Sequence, residues 1–180
     1  MKIITVLLLT SLALAGRVHA EENAMTNPPT EKITLAGGCF WCIEAVFQRL
    51  PGVRHAVSGY TGGHVENPTY RQVCEGTTGH AEAVEIEFDP AVLSLDQILD
   101  SFWKAHDPTQ LNRQGNDVGT QYRSAVFYHH EAQKRTVEES IRKLNAGGTY
   151  DRPIVTQVVP ATTFYVAEAY HQEYFENNRR

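Results

Sequence analysis

Cysteine is scarce in this chain: three among 180 residues, none before Cys39 and none after Cys74. That count excludes a scaffold of disulfide staples, and its oddness leaves at least one thiol outside any internal pair. It also excludes a lipid-modified cysteine at the end of an N-terminal leader. Long apolar runs are missing too. The longest, residues 3–15, is broken by Thr5, Thr10 and Ser11 and is shorter than the roughly 20 residues of a spanning helix. Basic excess is absent: 16 Lys and Arg face 21 Asp and Glu, net −5 with His neutral. A mildly acidic chain of this kind is a poor match for nucleic acid or an anionic membrane surface. No repeat, no low-complexity tract and no His-x-x-x-His or comparable metal spacing occurs.

What is present begins with a leader. Lys2 precedes the apolar run, and Val18-His19-Ala20 puts small residues at the cleavage positions. This is the pattern of a secretory signal peptide over residues 1–20. The expectation is an exported protein, periplasmic or secreted, cleaved near Ala20. Residues 21–31 are polar, with Asn27-Pro28-Pro29, and read as a flexible lead-in. Residues 32–180 then make one domain, large enough for a proper core.

Residues 32–36 are β-prone, and Gly37-Gly38 turns into a helix. Its stripe is Ile43, Val46, Phe47 and Leu50, the i, i+3, i+4, i+7 pattern. Pro51-Gly52 stops it. Residues 53–60 read as a strand and 62–69 as a loop. Residues 81–88 are the clearest strand, with Val84, Ile86 and Phe88 on one face and Glu85 and Glu87 on the other. Glu82 has the parity of the apolar face. Ser94 and Gln97 form a capping box for a helix that buries Leu95, Ile98, Leu99 and Phe102. Residues 107–121 show no periodicity; connections of that length are uncommon and often functional. A weak strand at 122–128 follows, then a helix at 131–144 with Val137, Ile141 and Leu144 inward. A strand at 154–159 and a short helix at 166–175 complete the chain. Helices and strands interleave without a strict βαβ repeat, which predicts an α+β fold with a mixed sheet.

The densest chemical signal is Cys39-Phe40-Trp41-Cys42, directly after the Gly-Gly turn. A thiol in the first turn of a helix meets N–H groups without partners and the positive end of the macrodipole. Both favour the thiolate, which is the nucleophile. A lone cysteine is more often a buried structural residue; the turn, the helix start and the second cysteine together favour reactivity here. Cys42 lies one turn on, with Cβ atoms about 5–6 Å apart against about 4 Å across a disulfide, near enough to capture what Cys39 forms. Zinc also uses Cys-x-x-Cys, but it needs two further ligands and no second such pair exists. Phe40 and Trp41 cannot both face the core, so at least one lines an apolar pocket beside the sulfur. A buried Glu82 would hold its proton and act as a general acid for an oxygen. The alternative is a strand-end carboxylate that reaches solvent. Tyr70 and Tyr122 can donate hydrogen bonds to a substrate oxygen, and Asp117 lies in the long polar loop. Cys74 reads as a small buried apolar residue, and His129-His130 as a solvated strand end.

Six segments then stand out together. They are Gly38-Cys39-Phe40-Trp41, Gly59-Tyr60-Thr61-Gly62-Gly63, Asn67-Pro68-Thr69-Tyr70, Thr78-Gly79-His80-Ala81-Glu82, the run from Gly115 to Ser124, and Ala169-Tyr170-His171-Gln172. The chain resembles peptide methionine sulfoxide reductase A over these motifs, which extend from about Ile33 to Glu173. Several long motifs in order are far more specific than Cys-x-x-Cys alone. The resemblance implies an α+β two-layer sandwich with a mixed sheet and a ferredoxin-like core, with catalytic Cys39 at the N-terminus of the first helix. It implies that Cys39 attacks the sulfoxide sulfur, and that Glu82 protonates the oxygen with help from Tyr70 and Tyr122. Asp117 belongs to the same polar cluster. Phe40, Trp41 and Tyr122 bind substrate, the first two around its methyl group. Methionine leaves, Cys39 becomes a sulfenic acid, and a second thiol condenses with it to a disulfide that a thioredoxin-like dithiol reduces. The resemblance further implies the S epimer as substrate, in proteins and free, with no bound metal or organic cofactor. It implies a monomer whose partners are oxidised proteins and a thioredoxin-like reductant, with no nucleic acid and no stable membrane association.

Many relatives have Gly in place of Cys42 and resolve with a cysteine in a C-terminal tail. Residues 175–180 hold none here, so Cys42 is expected to resolve, as in relatives of the Cys-x-x-Cys type. A thioredoxin-type thiol–disulfide oxidoreductase is the alternative enzyme, but its βαβ pattern ahead of the motif is missing. A secreted binding domain with a structural disulfide leaves Glu82 and the long loop unexplained.

Overall fold

In the computed structural model, which describes residues 29–178, the chain runs through thirteen elements. They are β1 (Glu31–Gly37), α1 (Phe40–Phe47), β2 (Val53–Thr61), α2 (Tyr70–Cys74), β3 (Ala81–Phe88), α3 (Leu95–Ala105), β4 (Arg113–Gln114), β5 (Asp117–Val118), β6 (Ser124–Tyr128), α4 (Glu131–Ala146), β7 (Gln157–Pro160), β8 (Tyr165–Val166) and α5 (Tyr174–Asn177). Single 3-10 turns occur at Thr120–Tyr122 and Ala169–His171. The leader and most of the lead-in expected from the sequence lie outside the described residues.

Alternating apolar residues pair the strands into one six-stranded mixed sheet, in the order β7-β6-β1-β3-β2-β8. Only β6–β7 is parallel; the other pairings are antiparallel. The path β1-α1-β2-β3-α3-β6, with strands ordered β6-β1-β3-β2, is the split βαβ arrangement of a ferredoxin-like core. The α+β expectation is met. One face of the sheet carries Ile33, Leu35, Val84, Ile86 and Phe88, which meet Phe40, Ile43, Phe47, Ile98, Leu99, Phe102 and Val137 from the helices. The alternate residues Ala36, Ala81, Ala83, Ala125 and Phe127 cluster with Val159, Ala161 and Phe164. Burying each large side chain fully is worth about 1.5–3 kcal/mol, and β1 and β3 are shielded on both faces.

β3 has the expected bounds, and the Ser94–Gln97 capping box forms at α3. Four local readings are corrected. Val46 is 36% exposed; α1 instead lays Phe40, Ile43, Glu44 and Phe47 on the core. Tyr122 ends a 3-10 turn and does not begin a strand, because its N–H bonds to the Gly119 carbonyl. The strand expected from 154 starts only at Gln157, since Asn145 Oδ1 takes the Ile154 N–H and the Pro108 carbonyl takes that of Val155. The helix expected at 166–175 does not form. Residues 165–177 divide into β8, a 3-10 turn and α5, with Glu173 at φ +50 between the last two. Gln172 explains part of this: its amide bonds both the N–H and the carbonyl of Ser58, at 3.0 and 2.9 Å. Such bonds to β2 replace the i→i+4 bonds of a continuous helix.

Candidate active site

Gly38 turns the chain out of β1 at φ +90, and a Cβ there would lie 2.6 Å from the Cβ of Gln114. Only glycine fits this position without strain. Cys39 follows as the N-cap residue of α1 and is half-buried. The Trp41 and Cys42 N–H groups face its sulfur and favour the thiolate. Burial, and next the charge of Glu82, outweigh them and push Cys39 up to about 12. The thiolate expected from a helix start alone is therefore not the resting form while Glu82 is ionised.

Glu82 is 1% exposed, on the helix-covered face of β3. Its Oε2 accepts the Phe40 N–H at 3.1 Å, one of the first-turn donors that a helix leaves free. Burial pushes the carboxyl up to about 7; the Phe40 N–H opposes this, and the nearby charge of Asp117 adds to it. Of the two sequence alternatives, the buried one is observed. The thiol of Cys39 and the carboxyl of Glu82 thus meet at one turn, because the N–H that holds Glu82 belongs to the residue after Cys39.

Two tyrosines face this pair. Tyr70 begins α2, where the Glu168 carboxylate accepts its N–H at 2.9 Å, and its ring lies parallel to Phe40 with centroids 6.3 Å apart. Burial, then a hydrogen bond with Cys74 and the charge of Glu82, hold its hydroxyl well above the ordinary value of 10. Tyr122 is pushed up to about 12 by burial and then by Glu82, with Asp117 and Cys39 contributing. Both hydroxyls therefore stay protonated and able to donate. Arg123 fixes the turn that carries Tyr122, donating to the Thr120 carbonyl at 2.8 Å and to the Gly79 carbonyl at 3.1 Å. Asp117 is exposed, in the β4–β5 hairpin, and reaches the site through its charge.

Phe40 is buried at the floor, and half-buried Trp41 stands beside it. The Trp41 indole N–H donates to His171 Nδ1 at 3.1 Å, and Tyr174 stacks on the indole at 3.8 Å, with planes 8° apart. Cys42 is exposed one turn along α1, its N–H bonded to the Cys39 carbonyl at 3.1 Å.

The family model of peptide methionine sulfoxide reductase matches residues 31–180. The chain belongs to the peptide methionine sulfoxide reductase family. A relative from Natronomonas pharaonis named peptide methionine sulfoxide reductase MsrA is 54% identical over 149 residues, covering 83% of this chain and 84% of its own. One from Leptospira borgpetersenii with the same name is 57% identical over 148 residues, 82% of this chain and 83% of its own. Among solved structures, reduced Mxr1 from Saccharomyces cerevisiae superimposes with a TM-score of 0.79 at 33% identity, covering 84% of this chain and 87% of that one.

In this reductase the fold brings Cys39, Phe40, Trp41, Tyr70, Glu82 and Tyr122 together, with Cys42 and Asp117 at the edge. Cys74 corrects the sequence reading. It is exposed, not buried, because the five-residue α2 buries Val73 and leaves Cys74 beside the Tyr70 hydroxyl. Gln121 Nε2 also donates to its carbonyl at 3.1 Å. The sequence reading missed Glu44, Glu168, His171 and Tyr174. Glu44 was detectable by the parity argument used for Glu82, since it sits at i+4 from Phe40 on the apolar stripe. His171 lay inside a recognised motif, but nothing local tied it to Trp41, 130 residues away.

Proposed function

We propose that this chain reduces the S epimer of methionine sulfoxide, in oxidised proteins and as the free amino acid, by a cysteine sulfenic acid route. Cys39 attacks the sulfoxide sulfur. Glu82 protonates the oxygen as the S–O bond breaks, with Tyr70 and Tyr122 donating hydrogen bonds to it. Phe40 and Trp41 enclose the methyl group. The balance is one thiol and one sulfoxide giving one thioether, methionine, and one sulfenic acid on Cys39. Cys42 then condenses with that sulfenic acid, forming the Cys39–Cys42 disulfide and releasing water. A thioredoxin-like dithiol takes up this disulfide by exchange, becoming oxidised itself. Yeast Mxr1 is known in complex with Trx2, and a reductant of that class is the partner we assign here.

One observation carries the reading: a buried carboxyl, held near pH 7, on the N–H of the residue next to the nucleophile. Sulfoxide reduction must deliver a proton to a leaving oxygen, which a buried acid beside the sulfur nucleophile supplies, whereas thiol–disulfide exchange breaks no bond to oxygen. Exposure of Cys42 supports its resolving role, because exchange needs an accessible sulfur. The Cys42→Ser variant tests the scheme. It is expected to reduce about one equivalent of methionine sulfoxide per enzyme and then stop with thioredoxin as the electron source. Sustained turnover by that variant would remove Cys42 from the mechanism. We further propose export as a monomer after cleavage near Ala20; a mature protein whose mass includes residues 1–20 would refute the cleavage.

A further inference from the structure

Glu44 lies on the face of α1 that meets the core, one turn after Phe40, and is 1% exposed. A carboxylate in that position is costly unless it is bonded. Burial pushes its pKa up, and the Glu173 and Tyr174 N–H groups and Ser58 oppose that by facing the carboxylate. The Glu173 N–H meets Glu44 Oε2 at 2.9 Å. Glu173 itself has φ +50, a left-handed conformation uncommon for a residue with a Cβ. This single residue turns the chain so that Tyr174, the next one, lies flat on the indole of Trp41. The second tether of the indole, His171 Nδ1, comes from the same C-terminal stretch. A buried group on α1 thus holds the segment that clamps a neighbouring residue of α1, across 129 positions of sequence.

We propose that Glu44 is a positioning residue for substrate binding. By accepting the Glu173 N–H, with the Tyr174 N–H close by, it lays Tyr174 against Trp41 and fixes the indole wall of the methyl pocket. The inference rests on the reading of Trp41 as that wall. Glu44 touches no reacting atom, so its loss changes how well the sulfoxide is held and leaves the attack at sulfur intact. The carboxylate acts through an acceptor oxygen, which an amide supplies equally.

The test compares Glu44→Leu, Glu44→Gln and Tyr174→Leu, with a short methionine sulfoxide peptide as substrate. Trp41 emission is read in a Trp103→Phe background, which leaves Trp41 as the single tryptophan. Glu44→Leu is expected to raise KM about tenfold, with the saturating single-turnover rate within about threefold of wild type. Trp41 emission shifts to the red as the indole loosens into water. Glu44→Gln stays within about twofold in KM and keeps the wild-type emission. Tyr174→Leu leaves the buried carboxylate undisturbed and reproduces the Glu44→Leu changes, even where the latter fails to fold. Unchanged KM and emission in Tyr174→Leu, or in a folded Glu44→Leu, would overturn the inference, as would a Gln variant that behaves like Leu. Trp41→Leu separates the two readings. If it raises KM while Tyr174→Leu does not, the positioning role alone fails; if Trp41→Leu leaves KM unchanged, the pocket reading itself fails.

Discussion

Replacing Glu82 by Gln should make the protein more stable and less active at once, by amounts that depend on pH. Glu82 is 1% exposed, and its carboxyl is pushed from an ordinary 4.5 up to about 7, chiefly by burial. Below pH 4.5 both folded and unfolded chains hold the proton, and the folded state has its full advantage. Between pH 4.5 and 7 the unfolded chain releases the proton first, and that advantage is lost progressively. At about 1.4 kcal/mol for each tenfold step in acidity, ionised Glu82 costs the folded state on the order of 3 kcal/mol above pH 7. Gln cannot ionise, and its amide oxygen still accepts the Phe40 N–H. Urea unfolding under reducing conditions should show the variant gaining on wild type between pH 4.5 and 7, with a constant difference beyond. Its single-turnover reduction of methionine sulfoxide should fall about a hundredfold. Alkylation of Cys39, followed by mass at that residue, should become faster at fixed pH, since the charge of Glu82 holds the thiol protonated. A stability difference equal at pH 4.5 and 8.5 would refute the buried-acid argument. An unchanged sulfoxide rate would remove the general acid. Slower alkylation would show that Glu82 helps to form the thiolate.

Asp117→Asn removes a charge that raises Glu82, so the pH range over which stability declines should move to the acid side; a move to the alkaline side contradicts the electrostatic link. Arg123→Lys loses the fork that reaches Gln157 Oε1, the Thr120 carbonyl and the Gly79 carbonyl. It should cost roughly 2–3 kcal/mol in denaturant unfolding and slow sulfoxide reduction through Tyr122; a full-rate variant would show that the turn holds without it. Ser94→Ala breaks the capping box of α3, because Ser94 Oγ accepts the Gln97 N–H at 3.3 Å. It should cost about 1 kcal/mol with no change in single-turnover rate, and a lost rate would tie α3 to the chemistry.

Where a side chain's environment follows from its neighbours in sequence, the reading was sound. Strict alternation in 81–88 gave β3 its bounds, and the parity of Glu82 already placed a carboxyl on the buried face. Ser94 and Gln97 made the α3 start legible because a capping box closes within three residues. Cys39 at a helix start was legible for the same reason. Its protonation was not, because burial and Glu82 act from outside the helix and reverse the local preference. The helix expected at 166–175 failed because its polar residues bond Ser58, Tyr60, Tyr70 and Glu44, on other elements. Cys74 read as a core residue because nothing near it in sequence partners a thiol; the exposed end of α2 shows only in the fold.

The sequence by itself determined the two thiols at a helix start, the carboxyl on the buried face of a strand, the aromatic pair between the cysteines and the α+β class. Each depends on spacing within one element, and spacing is written in the chain. The tertiary structure alone decided that the Phe40 N–H carries Glu82, that Tyr174 and His171 clamp Trp41, and that Glu44 holds the segment doing so. Those contacts join residues 42 to 133 positions apart. They depend on how α1 lies on the sheet, and no local period encodes that.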